Sequence, residues 1–125
     1  LVPEAVAAAT ENARLNGLDN CRFIAGDVFE VLKTVEEKPD VIVVDPPRVG
    51  IQTKALGKIL EYGVEQIVYV SCNPKTLADN IKFMEGYGYQ CQYLKPYDNF
   101  PFTKHVESIV LLSHRSPDSH IDVKV

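Results

Sequence analysis

Two short apolar runs, Val41-Ile-Val-Val44 and Ile67-Val-Tyr-Val70, constrain the fold of this chain more than any other feature. Each has the length of one strand and lacks the polar alternation of a strand with one wet face. Burial on both faces is therefore expected, as in a parallel sheet covered by helices. Each run closes on a polar cluster containing proline, Asp45-Pro46-Pro47 in one case and Ser71-Cys72-Asn73-Pro74 in the other. Helical spacing predicts helices over 3–16, 28–36, about 53–62 and 75–86. A short strand is predicted over Cys21–Ala25, ending in Gly26-Asp27. Residues 89–97 and 106–113 read as strands with no helix between them, so they are expected to be antiparallel neighbours. The sum is an α/β fold with a doubly wound sheet and an antiparallel pair at its C-terminal end. Residues 1–115 are expected to form the domain and 116–125, which contain Pro117, a polar tail.

Composition narrows the function classes. The net charge is −4 and the pI about 5.3. Phosphate contacts are built from Lys and Arg, so this chain alone is not expected to grip nucleic acid strongly. Three scattered cysteines, Cys21, Cys72 and Cys91, with no CxxC pair, fit neither a disulfide framework nor a zinc site. A reduced, cytoplasmic protein is the simplest expectation. No apolar run approaches the roughly 18 residues of a membrane span. The chain opens on Leu1-Val-Pro-Glu4, without an initiator Met or the basic start of a signal peptide. An excised piece or a processed product is expected.

In open α/β sheets, ligands bind beyond the carboxyl ends of the strands. Asp27, Asp45, Cys72 and the loop from Asn99 to Glu107 fall at or near such ends. Cys72 precedes Asn73 and Pro74, a favoured N-cap and a favoured first helical residue. The unpaired N–H groups of a helix start stabilise negative charge, and a sulfur nucleophile reacts as its anion. The bland alternative is a small buried hydrophobe, which is the reading of Cys21 and Cys91. Asp45 ends an apolar strand, where a carboxylate is costly unless something uses it. An N-cap or an ion pair with Arg48 would serve equally well. Glu107 opens the last predicted strand and shares a face with His105 if Val106 points inward. A solvated edge residue is the plain reading of it.

These residues also carry a resemblance. Asp45-Pro-Pro-Arg-Val-Gly50, followed by Ile67-Val-Tyr-Val-Ser-Cys-Asn-Pro-Lys-Thr76, resembles the first signature of the RNA uracil-C5 (5-methyluridine) methyltransferases. Asp98-Asn-Phe-Pro-Phe-Thr-Lys-His-Val-Glu107 resembles the second, and Asn12-Ala-Arg-Leu-Asn-Gly17 with the segment into Asp27 is similar to the same family. Tyr97 stands where an aliphatic residue is usual, and Phe102 where Gln, His or Tyr is common. The resemblance covers nearly the whole chain and is far more specific than a lone DPP motif.

The resemblance implies a Rossmann-like, class I S-adenosylmethionine-dependent methyltransferase fold, truncated so that the first two strands and the glycine-rich turn are absent. Cys72 then matches the nucleophile that adds to C6 of uracil, and Glu107 the base that removes the C5 proton. Asp45 and Asp27 match positions that contact S-adenosylmethionine or line its pocket. Arg48 and His105 fall within the signatures as supporting residues. The implied substrate is RNA, 23S ribosomal before transfer RNA, held largely by regions outside this chain, with no membrane partner. The fragment alone is expected to be inactive. The strand ending at Asp27 is expected either to close up against the strand ending at Asp45 or to leave an edge that pairs with a second copy. Two other readings stand beside this one. One is an exocyclic-amine methyltransferase that uses the DPP motif without Cys72, and the other is a catalytically silent module that binds RNA or protein.

Overall fold

The structure is a computed structural model that describes residues 3–114, so the expected tail over 116–125 lies outside the described residues. The chain divides into two compact units, Leu1–Glu37 and Lys38–Val125.

The first unit holds α1 (Pro3–Leu15) and α2 (Val28–Leu32). Pro3 is tolerated because the first N–H groups of a helix have no acceptor within it. α1 ends where Gly17 takes φ of +68° and the Leu18 N–H returns to the Ala13 carbonyl at 2.9 Å, a glycine-terminated helix end. α2 is shorter than the expected 28–36. It stops near Thr34, whose hydroxyl donates to the Val31 carbonyl at 2.7 Å and so favours a turn over a continued helix. The strand expected over Cys21–Ala25 is not formed. A strand exists only where a neighbour completes its ladder, and no described strand pairs with this segment.

Among the described residues the second unit is a four-stranded sheet with two helices. Its elements are β1 (Val41–Val44), α3 (Thr53–Leu60), β2 (Gln66–Ser71), α4 (Pro74–Glu85), β3 (Tyr89–Tyr97) and β4 (Glu107–His114). The strand order is β1-β2-β4-β3. β1 and β2 are parallel, joined through α3, while β4 runs antiparallel to both β2 and β3. The expected antiparallel pair is thus present, with β4 inserted between β2 and β3. β1 pairs with β2 alone among the described strands.

The core lies on one face. Ile67 and Tyr69 of β2, Val110 and Leu112 of β4, Leu56, Ile59 and Leu60 of α3, and Leu77 and Met84 of α4 are all buried. Side chains alternate along a strand, so the register Val44↔Tyr69 puts Ile42 and Val44 on this face and Val41 and Val43 on the other. Val41 is 48% and Val43 66% exposed. The expectation that β1 is buried on both faces is corrected: a continuous apolar run marks a strand that could be buried twice, and among the described residues this one is an edge strand with Val41 and Val43 exposed on one face.

Candidate active site

The topology gathers one end of every strand of the sheet. β1 and β2 are parallel, so their carboxyl ends, which lead into Asp45 and Cys72, lie on the same side. β4 runs the other way, so its first residue, Glu107, arrives there too, opposite Tyr97 at the end of β3. The last β2–β4 pair is Ser71↔Ser108, both buried. Cys72 follows one serine and Glu107 precedes the other, which directs the thiol and the carboxylate to the face opposite those serines.

Two cavities open at this end. One of about 610 Å³ is lined by Asp45, Val70, Cys72, Tyr97, Asn99, Phe100, Glu107 and Ile109. One of about 210 Å³ is lined by Arg48, Cys72, Phe100, His105 and Glu107. Cys72, Phe100 and Glu107 border both. The structure therefore brings Cys72, Glu107 and Asp45 together. Asp27 belongs to the first unit, where its carboxylate caps α2 by accepting from the Glu30 N–H at 3.2 Å.

The turn around Cys72 is built by its neighbours. The Asn73 N–H donates to Ser71 Oγ at 3.1 Å, and Asn73 Oδ1 accepts from the Lys75 N–H at 3.1 Å. Asn73 is the N-cap of α4 and Pro74 its first residue, as expected. Cys72 is left half-buried at the helix start and lines the cavity.

The loop that carries Asp45 and Arg48 is tied to this turn. The Arg48 carbonyl accepts from Asn73 Nδ2 at 2.9 Å and from the Thr76 hydroxyl at 3.1 Å. Buried Asn80 holds the next residues: its Oδ1 accepts from the Ile51 N–H at 2.9 Å and from the Tyr69 hydroxyl at 2.6 Å, and its Nδ2 donates to the Ile51 carbonyl at 2.9 Å. Gly50, at φ of +76°, permits this approach, since a Cβ there would lie 2.8 Å from Asn80 Oδ1. Burial, partly offset by a hydrogen bond from the Ile51 backbone, pushes the Tyr69 hydroxyl up to about 12, so it stays a protonated donor. The side chain of Arg48 meets His105 Nδ1 at 2.9 Å.

Sequence reasoning passed over Asn80, Tyr69 and Phe100. Asn80 did carry a signal. It lies three residues after Leu77 and four before Met84, on the apolar face of α4, where a polar side chain needs a partner. Phe100 carried none, because a loop aromatic reads the same whether it lines a cavity or meets solvent.

With this geometry in place, likeness to known proteins decides the family. Residues 2–115 match the family described as tRNA (Uracil-5-)-methyltransferase. The chain belongs to the tRNA (uracil-5-)-methyltransferase family. An uncharacterized RNA methyltransferase of Clostridium acetobutylicum is 48% identical over 115 residues, covering 92% of this chain and 25% of the relative. The Pyrococcus abyssi tRNA (uracil-54, C5)-methyltransferase, solved with S-adenosyl-L-homocysteine, superposes with a TM-score of 0.76 at 32% identity, covering 89% of this chain and 26% of that one. A putative tRNA (m1A22) methyltransferase of Streptococcus pneumoniae matches at a TM-score of 0.59 and 20% identity over 94% of this chain and 53% of its own, a likeness of fold alone. The chain thus spans about a quarter of the length of its tRNA (uracil-5-)-methyltransferase relatives. The expected Rossmann-like α/β fold and the family resemblance both hold.

Proposed function

We propose that this chain carries the reacting groups of an enzyme that methylates C5 of a uridine in RNA. One observation carries the reading: Cys72 and Glu107, from different strands, border the same two cavities at one end of the sheet, with Asp45 on the wall of the larger. Uracil C5 is a poor nucleophile, so the ring must first be activated by covalent addition. The Cys72 sulfur forms a bond to C6, and the C5–C6 π pair shifts toward C4, leaving an enolate on O4. S-adenosylmethionine, when bound, would supply a methyl carbon on a cationic sulfur; as C5 takes up that methyl with its electron pair, the methyl–sulfur bond would break with its pair staying on the donor sulfur, which leaves as a neutral thioether. The Glu107 carboxylate then removes the C5 proton. The C5–H pair restores the double bond, and the sulfur leaves as thiolate.

The residues present fit the donor. The larger cavity is within the size range of small-ligand sites. Its walls are Val70, Tyr97, Phe100 and Ile109, and the Asp45 carboxylate suits a ligand with a positive sulfur and an ammonium group. Asp27 is assigned to the same ligand from the family resemblance alone. The rest of the RNA and donor sites is assigned to parts of the protein outside this chain, and the chain alone is inactive. The Pyrococcus abyssi protein is named for transfer RNA, whereas the sequence reading prefers 23S ribosomal RNA, so the test includes both. No helix of the described residues is long and apolar enough to cross a membrane, and cytoplasmic work on RNA accords with that.

The test is to incubate the full-length protein with donor and 5-fluorouridine-containing ribosomal or transfer RNA. Fluorine cannot leave as a proton does, so the reaction should stop at a stable adduct, mapped to Cys72 by mass spectrometry. Methyl transfer that survives Cys72→Ala would favour the exocyclic-amine reading instead.

A further inference from the structure

Addition of a thiolate to C6 turns a neutral ring into an anion whose charge settles largely on O4. That charge needs a partner in a site from which water is being displaced. Neither Asp45, Cys72, Tyr97 nor Glu107, the ionisable residues lining the larger cavity, can supply a cation. In the smaller cavity Arg48 joins Cys72 and Glu107. An arginine is permanently charged.

We propose that the Arg48 guanidinium binds O4 of the target uracil and stabilises the enolate formed when Cys72 adds to C6. This rests on the reaction assigned above and adds to it the group that carries the developing charge.

Two independent sets of contacts fix this cation in advance. The first acts on its backbone. The Arg48 carbonyl is held by Asn73 Nδ2 at 2.9 Å and Thr76 Oγ1 at 3.1 Å. Both donors lie in the segment that follows Cys72, so the backbone that carries Arg48 is tied to the turn that carries Cys72. Asn80 pins the loop again at Ile51. The second set acts on the side chain. Arginine has only donors, so its 2.9 Å contact with His105 Nδ1 makes that nitrogen the acceptor and places the ring proton on Nε2. A neutral imidazole orients the guanidinium without cancelling its charge, as a carboxylate would. Among the described residues no carboxylate forms an ion pair with Arg48. Its remaining N–H donors are left for a ligand oxygen. The enolate therefore meets a donor already oriented, and little reorganisation is needed at the moment of addition. A bound phosphate of the RNA backbone is the competing occupant of this charge.

The test separates binding from chemistry. With the full-length protein, the rate of Cys72 adduct formation on 5-fluorouridine RNA is measured at saturating RNA, and RNA affinity separately. Arg48→Gln is expected to slow adduct formation by about 10²–10³-fold, the usual effect of removing one such donor, with RNA affinity little changed. Arg48→Lys, which keeps the charge, should recover part of the rate, and so should added guanidinium ion with Arg48→Gln. His105→Ala, which frees the guanidinium, should give an intermediate rate and covers the case in which Arg48→Gln does not fold. An Arg48→Gln protein with the parental adduct rate and weaker RNA affinity would assign Arg48 to a phosphate and overturn the inference alone. Absence of any adduct in the parent protein would overturn the reaction and this inference together.

Discussion

At the scale of single residues, the proposed reaction divides two jobs between two side chains. In that proposal Cys72 makes and breaks the bond to C6, and Glu107 acts only after methyl transfer. Removing one should therefore not mimic removing the other. Cys72→Ala is expected to form no covalent complex with RNA under any condition. Glu107→Gln should still add and methylate but fail to release, so ordinary uridine RNA would accumulate as a methylated protein–RNA adduct. A denaturing gel with labelled RNA separates the two. A Glu107→Gln protein that turns over freely would remove Glu107 from the role of base. Of these residues the sequence made Cys72 legible through its neighbours, because Asn73-Pro74 announces a helix start one residue later. Glu107 was not legible in that way. What qualifies it is the cavity it shares with Cys72, and only the Ser71↔Ser108 register places the two strands so.

At the scale of elements, the notable device is the joint between α4, β2 and the Gly50–Ile51 turn, centred on Asn80 and the Tyr69 hydroxyl. Asn80→Ala would strand the Tyr69 hydroxyl and the Ile51 N–H in the interior. The expected cost is about 1–3 kcal/mol, read from denaturant midpoints. The same joint predicts a pH dependence. Burial raises the Tyr69 hydroxyl from its ordinary value of 10 to about 12, and burial raises Tyr89 in the same direction. The folded state therefore holds protons that the unfolded chain has begun to release. The stability contributed by Tyr69 is complete below pH 10 and falls as pH rises through about 12. In Tyr69→Phe the alkaline limb of the stability–pH curve should flatten; an unchanged limb would show that the hydroxyl does not ionise in that window. Elements were the most legible level of this chain. Strands β1 to β4 and helices α3 and α4 lie within a residue or two of where apolar runs, prolines and glycines put them. The miss at Cys21–Ala25 has a physical cause. An extended apolar segment is a strand only when another strand completes its hydrogen bonds, and pairing is not written in the segment itself.

At the scale of the whole molecule, the two edges of the sheet differ. β3 is an edge strand over nine residues, yet it carries Lys95 and Pro96 and an irregularity between Cys91 and Tyr93. A charge, a missing N–H and a bulge each discourage another strand from adding there. β1 has none of these guards. Its four residues are aliphatic, its outer edge pairs with no described strand, and Val41 and Val43 are exposed. The sequence showed the run but could not show which neighbours it would have, since burial depends on what is packed against it. An unguarded apolar edge can recruit another strand, and for this chain in isolation the expected partner is β1 of a second copy. Sedimentation of the isolated chain is expected to show concentration-dependent self-association. Val43→Lys should shift it toward monomer by placing a charge on the contact face, whereas Tyr93→Lys, on the guarded edge, should leave it unchanged. A chain that stays monomeric at every concentration, or one whose association responds to Tyr93→Lys but not to Val43→Lys, would show that β1 is not the edge that recruits a partner.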